Sequence, residues 1–523
     1  MNVRRLLIQA AIVGVEAGFL ALLLVLRLNP EVRPGGPGLA FALGQWGAWG
    51  AVTLGTLLFA AGLAACRRRR RERTVAVAAG VVSAGVLASA AVLAWTDAET
   101  LQAFLSGRGH RILGQDAISL LAVGIVVAFL GRAARRTRGN AVCWGTFLLA
   151  LLTPVIRLVV APTPPPPAPV TAPAAAEASP PLLVVGIEGL DTAFLLTNAD
   201  SDRFPAFRHL LSAGAWGAVQ PFTPFLRTAL WTSAATGCSP ARHGVKSSRA
   251  WRLPGLRDVP IQVLPWTPLG DRLFLPPWAV PVRTPPARVP RLWRRLAGRG
   301  GAAVIGWPRP GGEPDATGTG RYPGVPGDLL ASFRAVAATF GTDGKALLEA
   351  LSVDSIRTAR AVEAARHGAP TVWVVLESLS EARRRFEPLG PEDADRRAVM
   401  GLELEAMDAL LGDLLEAWAG RGPAVVLSPY GMARPKGWER VRRFLGGGDR
   451  WRVSPRACPD GALVLLAQGV DPGHRFSPCD VVDVVPTVTY LLGLPLPAWA
   501  EGRVILDAIS PAYLEETPLV VAD

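Results

Sequence analysis

The stretch TPFLRTALWTSAATGCSPARHG, Thr223–Gly244, joins a polar turn, a run of small residues at helical spacing and an exit rich in glycine and proline. It predicts a helix opening near Thr228. The first turn of a helix presents free backbone N–H groups and the positive end of the helix dipole, which favour an anion. Thr228, Thr232 and Ser233 place hydroxyls around that turn, and Thr228 is the candidate nucleophile. The plainer reading is that Thr228 caps the helix.

On either side of this stretch the chain alternates two patterns. Leu182–Ile187 is an unbroken apolar run that ends at Glu188-Gly189, as a buried parallel strand does where its tip meets a loop. Similar runs occupy Ala302–Ile305, Thr371–Leu376, Ala424–Leu427 and Gly461–Leu466. Helical periodicity fills Arg203–Ala213, Leu329–Ala338, Lys345–His367, Asp393–Ala419 and Val485–Leu492. Strands alternating with helices imply an α/β domain over 182–523, a mostly parallel sheet with helices on both faces. Ligands of such sheets sit at the carboxyl ends of the strands. Glu188 and the residues after Leu376 and Leu427 lie on that rim.

The first 160 residues read differently. The chain has 523 residues, half of them hydrophobic, and five apolar stretches, roughly 5–27, 39–65, 74–95, 113–131 and 141–160, are each long enough to cross a bilayer. They predict an all-α membrane domain over 1–160. No small-residue cleavage site follows the first stretch, so it reads as a retained anchor. Arg4 and Arg5, Arg67–Arg71 with Arg73, and the cluster Arg132, Arg135, Arg136 and Arg138 flank alternate ends. The positive-inside rule puts all three clusters in the cytoplasm, and five crossings then put the chain after residue 160 outside it. The net charge of +13 is partly these arginines, so it marks topology and not nucleic-acid binding. Asp116 and Arg157 lie near span ends, where snorkelling accounts for them. The spans show no intramembrane charge network or inverted repeat, which argues against a transporter. Residues 161–181, proline- and alanine-rich with almost no charge, form a semi-rigid extended spacer without helix or strand. Cys238, Cys458 and Cys479 follow it, enough for at most one disulfide there.

The segment LWTSAATGCSPARHG, 230–244, resembles the nucleophile segment of the alkaline-phosphatase superfamily, in particular its type I phosphodiesterase/nucleotide pyrophosphatase branch. LLVVGIEGLD at 182–191, FPAFRHLLSAGAWG at 204–217, AAVIGWPRP at 302–310 and DVVDVVPTVTYLLGLPLPAWAEGRVILDAI at 480–509 follow in the family's order. The resemblance implies an alkaline-phosphatase-like fold and phosphoester hydrolysis by a Ser or Thr beside two zinc-type divalent metals held by Asp and His.

Carried over place by place, the resemblance implies an altered site. The first metal-ligand place falls on Glu188. The nucleophile place falls on Arg227, with Thr228 one residue on. The Asp and His of the third segment correspond to Ser380 and Arg384, and those of the fourth to Pro429 and Tyr430. A last His place falls at or near Ala457. Proline ligates nothing through its side chain, and arginine brings a positive charge where a dication should sit. None of the five histidines, His110, His209, His243, His367 and His474, fills a ligand place.

The sequence therefore predicts a multi-pass membrane protein whose C-terminal domain keeps the fold without the two-metal site. It is expected to act as a binding or scaffold module with no cofactor. Arg227 and Arg384 are candidate anion-binding forks, so its partners are the membrane and a phosphorylated or sulfated envelope ligand or another membrane protein, and no nucleic acid. The alternative is an active phosphoester hydrolase or head-group phosphotransferase that uses Thr228, Glu188, other ligands and two divalent metals.

Overall fold

A computed structural model of the chain describes residues 3–34, 36–68, 73–133, 140–170, 180–199, 202–253, 259–265, 274–296, 301–308, 322–388, 390, 392–434, 453 and 459–521. Two compact units emerge. One comprises Met1–Pro167 with Lys246–Pro285, and the other Ala168–Val245 with Pro286–Asp523.

The first unit contains the expected apolar helices: α1 (Val3–Leu28), α2 (Gly36–Gly50), α3 (Thr56–Arg68), α4 (Arg73–Thr100), α5 (Gly107–Ala133) and α6 (Asn140–Val160). A π-helical turn, Ala51–Gly55, joins α2 to α3, so these form one span. Four spans, Leu6–Leu28, Gly36–Ala64, Gly80–Thr100 and Gly107–Ala133, are long and apolar enough to cross a membrane, and the apolar part of α6, Trp144–Val160, is shorter. Helix α1 crosses α2 at glycines. A Cβ on Gly18 would lie 2.0 Å from the Trp46 carbonyl oxygen, and one on Gly50 would lie 2.0 Å from that of Gly14.

Snorkelling does not account for Asp116. It is fully buried and pairs with Arg27 Nε at 2.6 Å and Arg157 Nε at 2.5 Å. Arg27 also donates to the carbonyls of Arg157 and Ala161. Deeper in α1, the buried Glu16 accepts from Ser83 Oγ at 2.6 Å. The helices thus hold a charge network that the sequence reading did not find, because its partners come from three helices far apart in the chain.

The segment Lys246–Pro285 is an outright difference from the sequence reading, which placed it in the α/β domain. It contributes the hairpin β3 (Ala250–Arg252) and β4 (Val280–Val282), whose surroundings pack on α1 and α2. No long apolar run marks it, so its partner was invisible in the sequence.

In the second unit, β1 (Leu182–Ile187), α7 (Thr192–Ala199), α8 (Pro205–Ala213), β2 (Ala215–Gln220), α9 (Arg227–Thr236) and α10 (Pro240–His243) come first. After the excursion follow α11 (Leu292–Arg295), β5 (Ala302–Ile305), α12 (Gly327–Thr339), α13 (Thr342–Arg366), β6 (Thr371–Leu376), α14 (Ser378–Phe386) and α15 (Ala394–Trp418). The chain closes with β7 (Ala424–Ser428), β8 (Gly461–Leu466), β9 (Cys479–Asp480), α16 (Val484–Leu491) and α17 (Pro511–Glu516).

The sheet order is β5-β6-β1-β7-β8-β2-β9. Only β8 runs against the rest. All five strands expected from apolar runs form. Strands β2 and β9 were not expected, since AWGAVQ carries three small residues and a polar end and β9 is two residues long. Successive residues of β1 feed opposite faces: Leu183, Val185 and Ile187 join one core with Phe333, Leu351 and Met407, whereas Leu182 and Val184 join the other with Trp231 and Val485. Cys238 and Cys479 are buried free thiols, and Cys458 lies outside the described residues.

Candidate functional site

Register brings the site together. Ile187 lies beside Leu376, and Gly186 beside Leu427, so β6, β1 and β7 end level with one another. The next residues along β1 and β6, Glu188 and Glu377, leave the sheet side by side. Gly186 is required behind them, because a Cβ there would sit 2.5 Å from the Trp231 ring.

Helix α9 points its first residue, Arg227, at both carboxylates. Arg227 Nε donates to Glu188 Oε1, and an Arg227 Nη lies 2.8 Å from Glu377 Oε1. Trp231, one helical turn on, donates its indole N–H to Glu188 Oε1 at 2.9 Å. Arg357 of α13 reaches the same Glu377 oxygen, Oε1, at 2.9 Å and donates to the Val375 carbonyl. The result is a chain of alternating charge, Glu188, Arg227, Glu377, Arg357. Burial opposes the charges of Arg227 and Glu377, but their partners win: Glu188 and Glu377 raise the Arg227 pKa, and Arg227 and Arg357 hold Glu377 below the usual carboxylate range.

Behind this chain lies a second layer. Asp354 Oδ2 accepts from the backbone N–H groups of Glu377 and Ser378 at 2.7 Å each, and Ser378 Oγ donates to Glu403 Oε1 at 2.6 Å. Burial pushes Asp354 up to about 7, against the lowering effect of Arg357, and Glu403 up to about 8.

Thr228 is buried as the second residue of α9 and does not cap it. Leu226 holds the cap position without a side-chain bond, and the Thr228 carbonyl accepts from Thr232 Oγ1 at 2.7 Å. Thr232 and Ser233 fall in the second turn and not the first. Ser233 Oγ lies 2.9 Å from His243 Nε2, which resembles a nucleophile and its base. The Val245 N–H, however, donates to His243 Nδ1 at 3.1 Å, so the proton sits on Nε2 and is donated to the serine. This His cannot take the Ser233 proton, and the pair closes a turn.

Of the remaining places, Ser380 Oγ donates to the Glu377 carbonyl at 3.0 Å and Arg384 lies 3.4 Å from Glu381 Oε2. Pro429 and Tyr430 follow the end of β7. The Tyr430 ring is fully buried edge-on against Phe225, and burial, then Glu188, raise its pKa well above the usual phenol value. Ala457 lies outside the described residues. Among the described residues, no three His, Cys, Asp or Glu side chains gather closely enough to hold a metal ion.

Glu377 could have been singled out, since it follows its strand as Glu188 follows β1. Asp354, Arg357 and Glu403 gave no signal, because charged residues on an amphipathic helix usually face water. The sequence matches the family described as type I phosphodiesterase / nucleotide pyrophosphatase over residues 182–463, which takes in every strand from β1 through β7 and the first half of β8. No curated protein matches the chain.

Proposed function

The chain belongs to the type I phosphodiesterase / nucleotide pyrophosphatase family, and from that premise we propose that it is a membrane-anchored pseudoenzyme whose family domain binds or scaffolds. One observation carries the reading: the Arg227 guanidinium stands between the two rim carboxylates, Glu188 and Glu377, where a dication would be held. The residues at the family's ligand places do not fit a two-metal cluster. Arg384 and Pro429 bring no metal-binding atom, the Ser380 hydroxyl is turned to a backbone carbonyl, and Tyr430 is a buried phenol held neutral.

Without a metal or a base, a threonine hydroxyl beside a guanidinium is a poor nucleophile. The missing terms amount to several kcal/mol of transition-state stabilisation, a loss of at least about a thousandfold in rate. The full-length protein is therefore expected to bind no stoichiometric zinc or manganese and to hydrolyse no nitrophenyl phosphate mono- or diester. Turnover in metal-supplemented buffer that disappears in Thr228→Ala would overturn this reading in favour of a phosphoester hydrolase or head-group phosphotransferase. The anion-binding role of Arg227 and Arg384 belongs to the same proposal. Because both guanidinium groups already face carboxylates, an anion must bind through their remaining N–H groups.

We further propose that the family domain lies outside the cytoplasm. In the helical unit, the Leu28 end of α1, the Val160 end of α6 and the segment Lys246–Pro285 meet at one end, as an odd number of crossings requires. A reporter active only in the cytoplasm and fused after Asp523 should be silent.

A further inference from the structure

The excursion Lys246–Pro285 is fastened to the helices by polar and apolar contacts together. Asn29 Oδ1 accepts from the N–H groups of Gln262 and Val263, and its amide donates to the Val263 carbonyl. The buried Lys246 ammonium lies 3.0 Å from Glu31. Leu253, Ile261, Leu264 and Leu275 pack against Leu22, Val25 and Trp46. Beside α2 the depth of the excursion is fixed: Trp46 Nε1 donates to the Phe274 carbonyl at 3.0 Å, Trp278 Nε1 to Gln45 Oε1 at 2.7 Å, and the rings of Trp49 and Trp278 meet edge to face at 6.3 Å.

That depth can be compared with a bilayer. The span Gly36–Ala64 has 29 residues, about 43 Å at about 1.5 Å per residue, whereas the hydrocarbon layer is about 30 Å thick. The arginine run that starts at Arg67 marks one boundary. Counting back about 20 residues from Ala64 reaches Gln45, and Trp46, Trp49 and Trp278 beside it are of the residue type favoured at a membrane boundary. On its open side the excursion exposes Pro277, Trp278, Val280 and Pro281, with Trp278 39% and Val280 53% accessible. Exposed Arg249, Arg252 and Arg283 surround them, and Arg252 pairs with Val280 across the hairpin. The whole segment carries six basic residues and two acidic ones.

We propose that Lys246–Pro285 is a membrane-interface element: Trp278 and Val280 enter the boundary between head groups and acyl chains, and the three arginines meet lipid phosphates. A short apolar tip ringed by arginine is the composition of a surface-seated segment, and it is continuous with the lipid-facing side of α2. The proposal rests on the helices spanning a membrane, so its test carries a control for that.

A photo-crosslinking residue is placed singly at Trp278, Val280, Phe129 and Leu506 in the full-length protein, reconstituted in phosphatidylcholine vesicles with a minor share of phosphatidylglycerol. Phe129 is 73% exposed on α5 and reports lipid contact of the spans, and Leu506 is 47% exposed in the family domain. Lipid adducts are expected at 278, 280 and 129 and none at 506. Adducts at 129 without any at 278 or 280 would overturn the proposal while leaving the spans intact. Adducts of 278 or 280 to a second copy of the chain, in place of lipid, would overturn it as well. Position 280 is on an exposed edge and carries the test if a probe at 278 disturbs the bond to Gln45.

Discussion

Replacing Arg227 by alanine tests the charge chain directly. Glu377 keeps Arg357 as a partner, but Glu188, whose side chain is 2% exposed, keeps only the Trp231 indole. Truncating one partner of a buried ion pair costs about 3–5 kcal/mol, because the other charge is left without compensation. The Arg227 side chain is itself 36% exposed, so water reaching the gap screens part of this, and about 2–3 kcal/mol is expected. At roughly 2 °C per kcal/mol for a domain of this size, the unfolding midpoint should fall by about 4–6 °C near neutral pH. Arg227→Ala combined with Glu188→Gln should recover most of the loss, and a double-mutant cycle on the full-length protein in detergent measures the coupling. Unchanged stability of Arg227→Ala at neutral pH, or a loss that Glu188→Gln does not rescue, would refute the assignment of Arg227 as the cation of the site.

Asp354 and Glu403 give a second expectation. Their folded pKa values, about 7 and about 8, lie above the unfolded ones, so the folded state holds more protons than the unfolded and stability falls as pH rises from about 4 to about 8. Glu403→Gln should flatten that slope and raise the midpoint above pH 8, as read by thermal unfolding across a pH series; a steeper slope would contradict it. In the helical unit, Asp116→Ala leaves Arg27 and Arg157 facing each other and should cost about 3–5 kcal/mol, seen as a lower detergent midpoint, with Asp116→Asn milder. Gly186→Ala should cost about 1–3 kcal/mol by driving a methyl into the Trp231 ring, and Gly186→Ala with Trp231→Phe should recover part of it.

What the sequence determined by itself was whatever repeats locally. The five strands are written in short unbroken apolar runs, the long helices in a period of three to four and the spans in long apolar stretches, and the structure has them within a few residues. The segment 230–244 and its companions carried the family, because packing of α9 against the sheet needs small residues in a fixed order. The rim carboxylate Glu188 was legible for the same reason, as the first polar residue after a buried strand.

What only the tertiary structure decided was which charges meet. Arg227, read as one half of an anion clamp, lies between Glu188 and Glu377 because β1 and β6 are neighbours in register, and no spacing along the chain encodes that adjacency. Arg357 and Asp354 entered the site from a helix whose pattern says only that one face is buried. The network of Arg27, Asp116 and Arg157, and the docking of Lys246–Pro285 on α1 and α2, likewise depend on contacts between residues far apart in sequence. A hydrophobic pattern specifies that a face must be covered. A buried charge specifies that it must be paired, and the partner is fixed only when the fold brings two distant segments within a few ångströms.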